Sequence, residues 1–222
     1  MPIDLSHIDT WIFDLDNTLY PPGSEFMALM ESRMTDFVAR ETGLPRLEAR
    51  ALQKKYLHEH GTTLAGLMAN HGIPPEPFLT EVHDISLETL EPIPELVDGI
   101  ARLPGRRLVF TNGDERHADR VLAHLGLEAL FEGVFHIAAA DYIPKPRPEA
   151  FARMIRRHGV RTAGAAFFED SERNLEPAAR LGMTTVLVGP AAPQSTAPYV
   201  QHRTDDLAAF LKAVIVHEET VR

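Results

Sequence analysis

Short apolar runs alternate with helical patterns over much of this 222-residue chain, and this alternation restricts the possible folds most strongly. The runs with strand character lie at residues 11–13, 108–110, 134–137, 165–168 and 185–188. The helical patterns between the later runs lie at residues 115–125, 148–158 and 172–181. Strands that alternate with helices of this length predict βαβ units and a parallel sheet. A further helix is expected at residues 205–216.

Residues 20–90 have a different pattern, with at least three helical stretches and no convincing strand. Apolar residues recur there at spacings of four, four and three, as one face of a helix requires: Phe26, Met30, Met34 and Phe37. The proline-rich stretch 91–94 marks the return to the alternating pattern. The sequence therefore predicts an α/β fold with a helical module inserted between the first strand and the rest of the sheet.

Composition and charge narrow the possible partners. The net charge is −10, from 22 basic and 32 acidic residues, and no stretch is rich in lysine and arginine, so nucleic-acid and membrane binding are disfavoured. The lack of cysteine excludes disulfides, thiolate zinc sites and cysteine nucleophiles. Residues 1–5 lack the features of a signal peptide, and no apolar run approaches the roughly 18 residues of a membrane span. We therefore expect a cytoplasmic protein.

Two aspartates, Asp14 and Asp16, directly follow the first apolar run. Side chains alternate along a strand, so both carboxylates are expected to point the same way. Two like charges held this close repel each other unless a positive charge neutralises them. A divalent cation can do so, and one carboxylate can then act as nucleophile while the other transfers a proton.

Polar residues also follow two later strands. Residues 111–113 (Thr-Asn-Gly) follow one, residues 169–171 (Glu-Asp-Ser) follow the other with Asn174 one turn on, and Lys145 lies between two prolines. Alone, these could be a turn, a surface lysine and a helix cap. Ligands bind at the carboxyl ends of parallel strands, so we expect the following residues to meet at one edge: Asp14, Asp16, Thr111, Lys145 and Asp170.

Such a set suits phosphoryl transfer. Asp14 and Asp170 can hold Mg²⁺, which prefers oxygen ligands, while Thr111 and Lys145 hold the phosphoryl oxygens. Asp14 then attacks phosphorus, and Asp16 protonates the leaving oxygen and later activates water. We expect Asn112 to join the phosphate-binding group, and we expect two residues to support the metal ligands from behind: Glu169 and Asn174.

These residues resemble the motifs of the haloacid dehalogenase-like hydrolase superfamily. Residues 14–19 resemble its first motif, Thr111 the second, Lys145 the third and residues 169–170 the fourth. The resemblance implies a Rossmann-like core at residues 1–19 and 93–222 and an all-helical cap at residues 20–92. It also implies an aspartyl-phosphate intermediate and Mg²⁺ held by three groups: the Asp14 and Asp170 side chains and the Asp16 backbone carbonyl.

Two details refine this resemblance. Dehalogenases of the superfamily lack the second aspartate that Asp16 supplies, so a phosphatase is implied. The next residue is often glycine in the superfamily and is Asn17 here, which tolerates a positive φ better than most residues.

A narrower resemblance links residues 55–67 and 14–21 to the pyrimidine 5′-nucleotidase family; His83-Asp84 and His117-Ala118 also fit it. It implies hydrolysis of nucleoside 5′-monophosphates, UMP or CMP above all. We expect three cap residues to select this substrate: Tyr56, His60 and Thr63. The alternatives are the same chemistry on another small phosphomonoester, such as a sugar phosphate, and a catalytically silent binding protein on the same fold.

Overall fold

The computed structural model of the protein describes residues 3–215, which form an α/β fold around a parallel sheet. The strands are β1 (Ile3–Asp4), β2 (Thr10–Phe13), β3 (Arg106–Phe110), β4 (Gly133–Phe135), β5 (Ala165–Glu169), β6 (Thr184–Val188), β7 (His202–Thr204) and β8 (Val214–Ile215). Six of them form the central sheet in the order β4-β3-β2-β5-β6-β7, with every pair parallel. The predicted fold class is confirmed.

Strand β2 lies at the centre, where the strand order reverses. The chain passes from β2 to β3 and β4 on one side and then crosses to β5 on the other. Phe13, the last residue of β2, lies opposite Val109 of β3 and Phe168 of β5. The carboxyl ends of these three strands are therefore level, at the point where an open parallel sheet binds its ligands.

The central strands are buried on both faces because helices cover both sides of the sheet. Alternate side chains of β2 enter two separate apolar clusters, with Phe13 in one and Ile12 in the other. The Phe13 ring stacks on Phe168 at 4.5 Å between centroids, and on the opposite face Phe110 lies 5.9 Å from Phe167. Each strand thus supplies apolar area to both layers, which explains its nearly continuous apolar sequence.

Five helices flank this sheet: α5 (Pro94–Ala101), α6 (Glu115–His124), α7 (Pro148–His158), α8 (Glu172–Arg180) and α9 (Leu207–Ala213). Helices α5, α6 and α9 contribute to one apolar cluster, and α7 and α8 to the other. The predicted helices at 115–125, 148–158 and 172–181 are confirmed to within one residue. The sequence did not predict strands β1 and β7 or helix α5.

The expected helix at residues 205–216 is shorter in the structure. It ends at Ala213, and Val214–Ile215 form strand β8, paired in parallel with β1. β-Branched residues favour strands, and pairing with Ile3–Asp4 stabilises the extended form here. Val216 lies outside the described residues.

Four helices follow β2 in the chain, before α5 and β3: α1 (Glu25–Thr42), α2 (Arg46–His60), α3 (Thr63–His71) and α4 (Pro75–His83). We call them the helical insert. Ser24 and Thr62 cap α1 and α3 by accepting hydrogen bonds from Met27 N and Ala65 N. Residues 20–92, all described, contain no strand. The limits of a cap domain at residues 20 and 92 stay a prediction.

Within residues 3–215, no helix has both the length and the apolarity to cross a membrane.

The turn before β3 gives a test of the packing. Gly105 has φ +76°, and a Cβ there would lie 2.3 Å from the backbone oxygen of Asp9, whereas Gly126 has φ +71° and open space. Gly126→Ala should lower the free energy of unfolding by about 1–2 kcal/mol, the cost of left-handed backbone. Gly105→Ala should lower it by a further ~1–3 kcal/mol because the Asp9 backbone must move. Urea unfolding measures both, and equal losses would contradict this packing.

Candidate active site

The predicted site residues meet at the carboxyl edge of the sheet. Asp14 follows β2, and its backbone N donates to Phe168 O of β5 at 2.9 Å, which extends the strand pairing by one residue. Thr111 follows β3 in the same way, with its N donating to Phe135 O of β4 at 3.0 Å. Asp170 directly follows β5. The level strand ends therefore bring these three side chains to one edge of the sheet.

Lys145 is buried at the centre of this edge, with 1% of its surface exposed. Its Nζ donates to Asp14 Oδ1 at 2.6 Å, to Glu169 Oε2 at 2.7 Å and to Phe110 O at 2.7 Å. These three acceptors use all three ammonium protons. Burial disfavours the charged form, but the Asp14 and Glu169 carboxylates outweigh it and raise the pKa of Lys145 to about 12. The lysine is therefore a fixed positive charge.

Asn112 holds the Lys145 loop in place. Its Oδ1 accepts from Lys145 N at 2.8 Å, and its Nδ2 donates to Lys145 O at 3.3 Å. Asn112 lines the cavity described below, but its side-chain amide contacts the lysine backbone. Its position therefore supports Lys145, while a phosphate contact of its own stays a prediction.

Three carboxylates crowd around the lysine. Single oxygens of Asp14, Glu169 and Asp170 lie within 4.8 Å of one another. Burial, followed by the Glu169 charge, raises the pKa of Asp14 to about 8. Burial and the Asp14 charge raise the pKa of Asp170 to about 6. One ammonium cannot balance three carboxylates, so this cluster of oxygen donors suits a divalent cation.

Asn174 completes this side of the site. Its Nδ2 donates to Glu169 Oε1 at 3.1 Å, and Ser171 N donates to the same oxygen at 3.2 Å. The Asn174 Oδ1 atom is buried without a hydrogen-bond partner in the described part of the chain. Such an oxygen can accept from a water bound to a cation, so Asn174 also fits the metal site.

Asp16 lies in a different environment from Asp14. Its Oδ1 accepts from Tyr20 Oη at 2.5 Å and from His117 Nε2 at 2.8 Å. Burial alone would raise the pKa of Asp16, but the charge and hydrogen bond of His117, with Tyr20, lower it to about 2. Asn17 has φ +64°, which confirms the expected left-handed backbone. Two carboxylates with opposite pKa shifts are suited to two different roles.

A cavity of about 340 Å³ separates these strand ends from the helical insert. Thr63 lines it, as expected of a residue that selects substrate. Tyr56 does not line it, because its hydroxyl is paired with His71 Nε2 at 2.7 Å. His60 does not line it either, and lies 3.2 Å from Asn70 Nδ2.

Other insert residues face the cavity instead: Met27, Met30, Glu31, Met34, Gln53, Phe78 and Leu79. The apolar spacing of α1 indicated that Met30 and Met34 lie on a packed face, but not that this face meets the strand ends. Flexible thioethers beside an aromatic ring make a wall that adapts to flat or apolar ligands.

Arg173 links the insert to the core. It extends from α8, and its Nη1 donates to Leu57 O at 2.8 Å while its Nη2 donates to Gly61 O at 3.0 Å. These carbonyls belong to the last turn of α2 and to the residue after it, where the backbone carbonyls have no hydrogen-bond donor within the helix. Sequence reasoning did not identify Arg173, since an arginine on an exposed helix gives no sign of its distant acceptors.

A family model for haloacid dehalogenase-like hydrolases matches residues 8–182. The chain belongs to this family. It is 30% identical to phosphate metabolism protein 8 of Saccharomyces cerevisiae over 193 residues, 80% of this chain and 60% of that protein. It is 36% identical to fructose-1-phosphate phosphatase YqaB of Escherichia coli over 109 residues, 47% of this chain and 56% of that protein. The chain thus matches less than two thirds of the length of either relative.

Solved structures support the fold. L-2-haloacid dehalogenase from Xanthobacter autotrophicus, with chloropropionic acid covalently bound, has a TM-score of 0.60 and 16% identity, over 92% of this chain and 97% of that one. The HAD-hydrolase YfnB from Bacillus subtilis, bound to magnesium, has a TM-score of 0.62 at the same identity and coverage. At these identities the likeness concerns the fold alone.

Proposed function

We propose that this protein is a Mg²⁺-dependent phosphatase that hydrolyses nucleoside 5′-monophosphates, with UMP and CMP preferred. The observation that carries the proposal is the pair Asp14 and Asp16, one residue apart but in opposite electrostatic environments. Asp14 belongs to the carboxylate cluster with Lys145, whereas Asp16 is held by Tyr20 and His117. This division supplies a nucleophile and a separate proton carrier.

The reaction has two steps. Asp14 attacks phosphorus, the bond to the leaving oxygen breaks, and Asp16 gives that oxygen a proton. Asp16 then takes a proton from water, which attacks the phosphorus and returns the Asp14 carboxylate with free phosphate. The negative phosphoryl group favours the protonated form of Asp16 in the first step. Once the leaving group has gone, the low pKa of Asp16 keeps its carboxylate ionised, so that it can accept a proton from water.

The surrounding residues supply charge and orientation. Lys145 holds Asp14 in place and offsets negative charge beside the phosphoryl group, and Thr111 lies where its hydroxyl can meet a phosphoryl oxygen. When bound by Asp14, Asp170 and the Asp16 carbonyl, Mg²⁺ supplies further charge stabilisation for the phosphoryl oxygens. A silent binding protein has no use for this complete set of buried, mutually repelling carboxylates.

The cavity supports a nucleotide substrate. Its volume of about 340 Å³ lies at the small end of the range for ligand sites. The methionines and Phe78 suit the faces of a base, and Gln53 offers a polar group. Thr35 Oγ1 donates to Gln53 Oε1 at 2.7 Å, and Gln53 Nε2 donates one proton to Met34 Sδ at 3.7 Å, which leaves its second proton to donate to a ligand. The O2 carbonyl of uracil and cytosine is a suitable acceptor.

A sugar phosphate is the second candidate, because the E. coli relative is named a fructose-1-phosphate phosphatase. A panel of UMP, CMP, purine nucleotides and sugar phosphates, compared by kcat/KM in Mg²⁺, decides between the two. The highest kcat/KM on a hexose phosphate would replace the nucleotide proposal and leave the phosphatase chemistry intact.

The nucleophile can be tested directly. Asp14→Asn should lower kcat by on the order of 10⁴-fold or more with every phosphate ester, because an amide is a poor nucleophile toward phosphorus. The control is Asp36→Asn, an exposed carboxylate paired with Arg46 on the insert surface, which should keep full activity. Substantial turnover by Asp14→Asn, verified by mass spectrometry to be free of deamidation, would rule out this mechanism.

Metal dependence is a separate prediction. EDTA should stop hydrolysis and Mg²⁺ should restore it. Asp170→Asn should raise the Mg²⁺ concentration needed for half-maximal activity by more than roughly tenfold. Tenfold is the smallest effect expected when a residue that only hydrogen-bonds to a metal ligand is lost, and Asp170 is proposed as a ligand itself. Asp119→Asn, an exposed carboxylate on α6, is the control and should not change that concentration. Full activity in metal-free buffer would refute the metal site.

Substrate selection should depend on residues that face the cavity. Gln53→Leu removes a donor, so kcat/KM for UMP should fall about fivefold to tenfold, the value of one neutral hydrogen bond. Turnover of p-nitrophenyl phosphate should stay unchanged because it has no base. His60→Ala, outside the cavity, is the control. The reverse pattern, with His60→Ala altering the preference for UMP, would return specificity to the end of α2.

A further inference from the structure

His117 is a buried residue of α6 that contacts the side chain of Asp16. Only 1% of its surface is exposed, and it is not among the residues that line the 340 Å³ cavity. Its Nε2 lies 2.8 Å from Asp16 Oδ1. An ionised carboxylate has no proton to donate, so Nε2 carries the proton of this bond. Its hydrogen bond to the reacting groups of the cavity is therefore the one to Asp16.

The two oxygens of Asp16 are not equivalent. Tyr20 Oη and His117 Nε2 both donate to Oδ1, at 2.5 and 2.8 Å. Oδ2, in contrast, accepts no hydrogen bond from a side chain or the backbone of the described residues. Oδ2 lies 3.7 Å from where a Cβ of Gly113 would stand, beside the strand end that carries Thr111. Oδ2 is thus the Asp16 oxygen available to exchange a proton with a ligand.

The His117 ring packs against two side chains of the helical insert. His83 of α4 stacks on it at 4.1 Å between centroids and 13° between planes. Phe26 of α1 lies parallel to it at 6.0 Å and 2°. Tyr20 in turn meets the Phe26 ring edge-on at 5.7 Å. The side chains that hold Asp16 are therefore packed together as one group.

His83 is itself fixed to α6. Its Nδ1 lies 2.7 Å from Asp114 Oδ2, and the other oxygen of Asp114 accepts from His117 N at 2.7 Å. Arg120 Nη1 donates to His83 O at 2.9 Å. These bonds hold α4 against α6 and set the position of the stacked rings.

We infer that His117 is a positioning residue, which fixes Asp16 through Oδ1 so that Oδ2 faces the ester oxygen. This inference rests on the proposed phosphatase function. In the first step the proton on Oδ2 moves to the leaving oxygen as its bond to phosphorus breaks. In the second step Oδ2 takes a proton from the attacking water. His117 holds Oδ1 in both steps, and the insert sets where Asp16 points by packing on the His117 ring.

The test uses two esters that differ in their need for an acid. The ribose oxygen of UMP is a poor leaving group and needs protonation, whereas nitrophenolate leaves from p-nitrophenyl phosphate almost without help. His117→Leu should lower kcat/KM for UMP by roughly 30- to 100-fold and for p-nitrophenyl phosphate by only a few-fold. His117→Gln, which keeps a donor near the Nε2 position, should restore the ratio of the two values to within about threefold of wild type.

His124→Leu is the matched control. His124 lies on the same helix and also uses Nε2, but with Leu90 O at 2.8 Å, so its loss should leave the ratio unchanged. Circular dichroism checks that each variant folds. If His117→Leu does not fold, Tyr20→Phe removes the other donor to Oδ1 and should shift the ratio in the same direction.

The outcomes separate this inference from the proposed function. An equal fall with both esters, or no rescue by glutamine, would overturn the positioning role while the phosphatase stands. A wild-type protein that hydrolyses neither ester in Mg²⁺ would overturn the proposed function and this inference with it.

Discussion

The buried ammonium of Lys145 is the interaction on which the site depends. It joins the ends of β2, β3 and β5, through Asp14, Phe110 O and Glu169, at a point that is buried from solvent. Breaking a buried pair by removing one partner commonly costs 3–5 kcal/mol, and here two carboxylates would lose their partner together. The lysine thus holds the edge of the sheet together while it leaves the cluster short of positive charge.

That shortage connects the fold to the chemistry. Parallel strands direct their ends to one edge, and at this edge Asp14, Glu169 and Asp170 accumulate more negative charge than Lys145 can offset. A fold selected only for stability would place apolar or singly charged residues there. The excess of carboxylates suits a ligand that brings its own positive charge.

The core of the site could be predicted from the sequence because its geometry follows from strand ends. Once residues 11–13, 108–110 and 165–168 are assigned to one parallel sheet, Asp14, Thr111 and Asp170 are expected at the same edge of it. The insert could not be predicted in this way. Tyr56 and Met30 both lie on helices with apolar faces, and only the docking of those helices against the sheet decides which one meets the cavity. The spacing of apolar residues along a helix does not show which part of the sheet that helix packs against.

The helical insert also supports the Asp16 side chain, and its position in the chain explains how. It begins only a few residues after Asp16, and Tyr20, which lies in the segment between Asp16 and α1, donates back to Asp16 Oδ1. Its helices then bring Phe26 and His83 against the ring of His117, the other donor to that oxygen. A shift of the insert relative to α6 must therefore disturb the support of the Asp16 carboxylate as well as the cavity wall. In the proposed reaction, substrate contact and proton transfer are in this way coupled through the same packed rings.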